Sequence, residues 1–287
     1  MALPMHSSTP RTVAVTLLLA ALTCALAAAL VVWTGSYDVS ADVPHKQAVY
    51  SALVVTKIQS VRRQARDIDE RALDAPALVW RGAACFNQHC LACHGAPGVS
   101  PAAAGLAMQP LPGPLVAAAN QWRQRELVWI VRHGIRMSGM PSWRERLADD
   151  DIWAVTAFMQ TLPALSPRDY AELAAKVDGQ SCKVQPGRQT DLVPDVSQAA
   201  GREAINRHAC HGCHAIPGIV GSERDVGPPL AGFARRTLIA GRLPNTPEHL
   251  ARWLRDPQSI KPHTAMPASG MGQADAQAIA AYLGQLH

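Results

Sequence analysis

The chain has 287 residues, of which 48% are hydrophobic and 17% charged, with a formal net charge of +5. At roughly 150 residues per domain this length suggests two domains, and the apolar fraction excludes wholesale disorder. The modest charge, without any Lys/Arg block, argues against a nucleic-acid partner. Aromatic residues make up only 5% of the chain, so something other than large aromatic side chains is expected to fill part of the interior.

In chain order, Val13 to Trp33 is a run of 21 residues without a charge, mostly Ala, Leu and Val. At 1.5 Å per residue it reaches roughly 30 Å, the thickness of a bilayer core. A cleaved signal peptide has a shorter apolar region of about 7–15 residues, so the run reads as an uncleaved anchor. Small residues at Ala27-Ala28-Ala29 keep cleavage as the alternative. Cys24, inside the run, reads as a small buried apolar residue. Only Arg11 lies in the short amino-terminal flank, which the positive-inside rule assigns to the cytoplasm. His45 to Asp69 follows as a polar-faced helix with Val49, Leu53, Ile58 and Val61 at helical spacing.

Two units then repeat one layout. Each opens with a helix ending in Cys-x-x-Cys-His: Cys90-Leu-Ala-Cys93-His94 and Cys210-His-Gly-Cys213-His214. Each passes through a Gly/Pro-rich loop (95–114 and 217–230) into a middle helix holding Leu127 to Ile130 or Leu250 to Trp253. Thr246-Pro247-Glu248 is a start signal for the second of these, with Thr as cap, Pro in the first turn and an acid near the positive helix end. A Met-Pro pair follows, Met140-Pro141 or Met266-Pro267. A last helix closes each unit, started by Asp149-Asp150-Asp151 or Asp275. Pro163, Pro167 and the stretch Gly179 to Pro194 read as linker. We divide the chain into an anchor (1–36), a helical spacer (37–73), a first domain (74–172), a linker (173–196) and a second domain (197–287). No alternating apolar run suggests a sheet, so the fold class is all-α.

Two Cys three positions apart at a helix end face the same side and can add to the two vinyl groups of one porphyrin. The next His presents its imidazole to the iron, so the pentad reads as a c-type haem attachment. A thioredoxin-like pair needs a βαβ context, which is absent, and a zinc site needs a second Cys/His pair. The expected cofactors are two covalently attached haem c groups, held through Cys90 and Cys93 and through Cys210 and Cys213. His94 and His214 are the expected proximal iron ligands. A thioether from each Met-Pro loop is the natural sixth ligand. Met140 is preferred to Met137 and Met266 to Met271, because Pro stiffens the loop just after each preferred residue. His133 and His263 are alternatives, more simply read as loop imidazoles. Haem attachment places the bulk of the chain outside the bacterial cytoplasm, in an oxidising compartment. A disulfide between Cys85 and Cys182 is compatible with that setting, but sequence leaves it open.

With these motifs the chain resembles the class I c-type cytochromes, as a membrane-anchored dihaem member. Gly134 to Trp143 is similar to the distal loop of many bacterial cytochromes. Val226-Gly-Pro-Pro-Leu230 and Asn245-Thr246 resemble cytochrome c domains associated with haem–copper oxidases. The resemblance implies Pro228 and Leu230 packing near the haem and Met266 on iron. It also implies that a Gly on the first helix of each domain (Gly82, Gly201) meets an aromatic on the last (Trp153 or Phe158; Tyr282). Cys85 stands where the family has a bulky apolar residue.

The function expected is electron transfer without catalysis. Electrons would come from a bc-type complex or dehydrogenase and pass to a terminal oxidase, with no small-molecule substrate. The location expected is the bacterial inner membrane, single-pass, with the haem domains in the periplasm. One alternative is an obligate dihaem subunit of a haem–copper oxidase or dehydrogenase complex. A dihaem peroxidase using Glu223 or His263 is the other.

Overall fold

The computed structural model describes residues 10–144, 146–180, 182, 197–222 and 226–287. It separates into two compact units, 1–58 and 59–287. In the first, helix α1 (Pro10–Thr34) has no buried residue and is long and apolar enough to cross a membrane. Helix α2 (Gln47–Gln64) starts there and runs into the second unit, where Val61 and Ala65 are buried.

Among the described residues, the rest of the second unit is mainly helices and loops, built around two separate hydrophobic clusters. The first cluster is organised by α3 (Pro76–His89), α4 (Gln124–His133), α5 (Asp149–Thr161) and α6 (Pro167–Lys176). Pro76 sits in the first turn of α3, where its missing N–H costs nothing. The three acids that open α5 face the positive end of its dipole. Gly82 lets α3 cross α5 closely: a Cβ there would lie 2.9 Å from Phe158 Cβ and inside the Ala154 carbonyl. The aromatic that meets Gly82 is therefore Phe158. Trp153 instead carries Arg71 over its ring at 4.5 Å.

The second cluster is organised by α7 (Gln198–Arg207), α8 (Pro247–Arg255) and α9 (Gln273–Leu283). Here Gly201 meets Tyr282 in the same way, with a Cβ at 2.6 Å from Tyr282 Cβ. The Tyr282 hydroxyl donates to Pro217 O at 2.7 Å, tying the last helix to the loop after the motif. Thr246 caps α8 by accepting from His249 N–H.

Three features differ from the sequence reading. A two-residue antiparallel pair, β1 (Leu238–Ile239) with β2 (Leu243–Pro244), joins an architecture whose other named elements among the described residues are helices. The region around Pro167 is a helix rather than linker, because Ser166 and Asp169 form a capping box and Pro167 occupies the first turn. The linker expected at 173–196 also begins later. Tyr170, Val177 and Cys182 are buried in the first cluster, and Cys182 is disulfide-bonded to Cys85. Residues 183–196 lie outside the described residues.

Candidate haem sites

The first pentad leaves α3 without a break. Cys90 caps that helix, and Cys93 N and His94 N both donate to Cys90 O, at 3.1 and 3.0 Å. Gly95, at φ 64°, ends the turn. The second pentad differs. Helix α7 stops at Arg207, Ala209 adopts a left-handed φ of 52°, and Cys210–Gly212 forms a 3-10 turn. Cys213 N and His214 N nevertheless donate to Cys210 O at 3.2 and 3.1 Å. Both motifs thus reach the same local turn, with the two thiols one turn apart.

The imidazoles are set by their far nitrogens. His94 Nδ1 lies 2.9 Å from Gly113 O, and His214 Nδ1 lies 2.8 Å from Pro228 O. A carbonyl only accepts, so each Nδ1 carries the proton and donates. In the neutral ring this leaves each Nε2 as the nitrogen with the lone pair, the tautomer a metal ligand needs. In the second site Gly227 passes directly beneath the ring: a Cβ there would lie 2.6 Å from His214 Nδ1. The loop is held by Gly227 N to Cys213 O at 2.7 Å and Leu230 N to Ala215 O at 2.8 Å. Leu230 is buried, and Pro228, which supplies the acceptor carbonyl, is exposed.

The acceptor Gly113 was not foreseen. It precedes Pro114-Leu115, just as Pro228 precedes Pro229-Leu230, so a shared x-Pro-Leu was the available signal. The two acceptors stand 19 and 14 residues after their histidines, which hid the match.

The Met-bearing loops are braced from behind. Ser142 Oγ donates to Arg132 O at 2.9 Å, and Trp143 N and Arg144 N return to Val131 O and Arg132 O at 3.3 and 3.0 Å. Ser138 Oγ accepts from Met140 N at 3.2 Å. Met140 is half-buried, whereas Met137 is 92% exposed at a left-handed φ of 58°. Gly139 makes room for Met108, whose Sδ would lie 2.6 Å from a Cβ there. In the second loop Gln258 Nε2 donates to Thr264 O and Met266 O at 2.8 and 3.0 Å. Met266 is half-buried against the second cluster, and Met271 is core filler at 5% exposure. His133 leans on Trp129 at 5.0 Å; the partial burial of its ring, helped by Arg144 and Arg132, lowers its pKa. His263 is exposed. Glu223 lies outside the described residues.

Burial, with Cys93 nearby, pushes the Cys90 thiol up to about 12, and burial pushes Cys210 up to about 11. Paired cysteines, a histidine with a bare Nε2 and a half-buried thioether loop are the donor set of haem c. The residues present fit that group in both places.

A helical fold with such a histidine setting at each of two Cys-x-x-Cys-His turns defines a c-type cytochrome, here with two domains. Residues 77–159 match the family model for cytochrome c oxidase, cbb3-type, subunit III, and residues 198–287 match that for cytochrome c. The chain therefore belongs to the class I c-type cytochromes, an electron-transfer family, and its domains imply haem c binding. It is 37% identical over 116 residues to cytochrome c oxidase subunit 2 of Alkalihalophilus pseudofirmus, covering 40% of this chain and 31% of that one. It is 38% identical over 102 residues to the subunit 2 of Bacillus sp. strain PS3, covering 35% of this chain and 26% of that one. The chain thus spans less than a third of the length of these curated relatives. No solved structure matches it.

Proposed function

We propose that this chain carries two covalently attached haem c groups and passes single electrons toward a terminal oxidase. The observation that supports this most is the repeated imidazole setting, Nδ1–H on a loop carbonyl with Nε2 bare, at two pentads of different backbone construction. Cys90, Cys93, Cys210 and Cys213 hold the porphyrins, and His94, Met140, His214 and Met266 are the iron ligands. Pro228 and Leu230 pack near the second haem, and Pro228 also fixes the His214 tautomer through its carbonyl.

Bound haem supplies a one-electron couple, and His/Met ligation sets it high. The chain's own part is to hold each imidazole tautomer, stiffen each Met loop with Pro141 or Pro267 and exclude water with the two clusters. In this reading α1 anchors the chain in the inner membrane and the haem domains, 74–182 and 197–287, lie in the periplasm. A bc-type complex or dehydrogenase is the donor, and catalysis by the chain itself is not part of the reading.

A second reading, an obligate subunit of a haem–copper oxidase, is favoured by the match of residues 77–159 to an oxidase subunit model. Mild detergent extraction separates the two: a carrier purifies alone, and a subunit brings an integral oxidase core with it. The central claim is tested by the mass of the mature protein, expected to include two haem c groups. Met140→Ala and Met266→Ala should each lower the potential of one haem only. A chain without added haem mass, or potentials indifferent to both substitutions, overturns the reading.

A further inference from the structure

We propose that His89, Trp143, Arg144, Glu203 and Arg207 form the electron route between the two haem centres; this rests on the reading that both pentads carry haem. Each step is a bond or a contact. His89 is the last residue of α3 and is followed by Cys90, and its ring lies 5.1 Å from that of Trp143. Trp143 packs on the first cluster, and its N–H is held by Val131 O. Next in the chain, Arg144 forms an ion pair with Glu203 on α7, across from the first cluster to the second. Glu203 also meets Arg207 one turn on, at 3.6 Å. Arg207 and His208 are both fixed on Asp275, at 2.6 and 2.7 Å, and Cys210 follows two residues later.

The route thus starts beside one attachment cysteine and ends beside the other. Tunnelling decays more slowly along bonded and touching atoms than through open space, so such a series is a favoured path. Glu203 and Arg144 are both about half exposed, at 50% and 42%, and an exposed pair adds little to stability. Between two domains already joined in one chain, the same pair is enough to bias a docked arrangement about two- to five-fold. One centre is oxidised by one electron and the other reduced by one; no bond is made or broken and no proton moves.

The test uses the full chain in detergent. Its haem content is measured first, so that a missing haem refutes the functional reading and leaves this one distinct. One centre is then reduced rapidly, and equilibration between the two is timed. Arg144→Gln and Glu203→Gln should each slow it about two- to five-fold with both potentials unchanged, and the Arg144→Glu/Glu203→Arg pair should restore it. Trp143→Leu should slow it further, and Trp143→Phe should recover part of the loss. Independently of electron transfer, a carbodiimide should join Lys to Glu203 in an Arg144→Lys variant, read as a cross-linked peptide by mass. Equilibration indifferent to Arg144→Gln and Trp143→Leu, or no such peptide, overturns the route.

Discussion

Gly227→Ala isolates the proximal setting of the second haem. The added Cβ would lie 2.6 Å from His214 Nδ1, well inside van der Waals contact. The ring cannot swing away freely, because that nitrogen donates to Pro228 O at 2.8 Å. Relief takes one of two forms. Losing the hydrogen bond costs about 1 kcal/mol net, and shifting the loop against its anchors costs about 1–3 kcal/mol, as overpacking does. The expected loss of unfolding free energy is therefore about 1–3 kcal/mol, with the potential of the first centre unchanged. Gly113 provides the control. It supplies the matching acceptor carbonyl in the first domain, yet a Cβ there would meet nothing within 4 Å. Gly113→Ala should be neutral, or stabilising by about 0.4–1 kcal/mol through the unfolded chain. Denaturant melts of both variants, read with potentiometry, decide the matter. Equal effects within about 0.5 kcal/mol would refute the claim that the Gly227 backbone is cut to fit the imidazole.

Replacing both Cys85 and Cys182 by Ser opens a cross-link spanning 97 residues, for which loop entropy gives a loss of about 4–5 kcal/mol; a change under about 1 kcal/mol in denaturant would contradict a structural role. Gly82→Ala drives a Cβ into the Ala154 carbonyl and within 2.9 Å of Phe158 Cβ, so it should cost more than about 3 kcal/mol or abolish folding, measured by thermal melts and soluble yield. The carboxyl of Asp275 is held below its ordinary value of 3.8 chiefly by its bond from His208, with Arg207 adding to the effect and burial opposing it. A depressed folded pKa gives stability that is complete above about pH 4 and lost as pH falls through the folded value, so Asp275→Asn should flatten the acid limb of a stability-against-pH curve. An unchanged acid limb would count against that ion-pair cluster.

Local backbone structure was legible in the sequence wherever one turn defines it. The pentads, the Met-Pro loops, the Thr246 cap and the acid-rich start of α5 depend on residues within four positions of each other. The acceptor carbonyls were not legible as such, because any residue has a carbonyl and only the fold aims it at an imidazole. Pro228 was named for packing, and its carbonyl oxygen, 2.8 Å from His214 Nδ1, came only with the fold. Ser166-Pro167 was misread because Pro breaks a helix interior but suits the first turn, and Asp169 three residues after Ser166 was the missed sign. Ala209 was unreadable for a different reason. A left-handed alanine is locally unfavourable, and tertiary anchoring of the Cys210 turn imposes it.

Cys85 shows how one small side chain can reorganise a distant stretch of the polypeptide. The first helix has a small side chain at position 85, fully buried in the same cluster as Phe86 and Phe158. A bare small residue there would leave a void, and voids in a packed core cost roughly in proportion to their volume. The partner sulfur of Cys182 fills the place instead and brings its own backbone with it. Helix α6 then has a reason to exist: it must carry the chain from the end of α5 back to α3. Tyr170 from that helix donates to Asn87 Oδ1 at 2.6 Å, and Gln88 donates to Gln180 O at 2.6 Å while accepting from Cys182 N at 3.2 Å. The chain leaving the first domain is thus fastened to the last turns of α3, immediately before Cys90. Position 85 and helix α6 are therefore linked, since α6 lies on the path from the end of α5 to the cysteine that bonds back to α3.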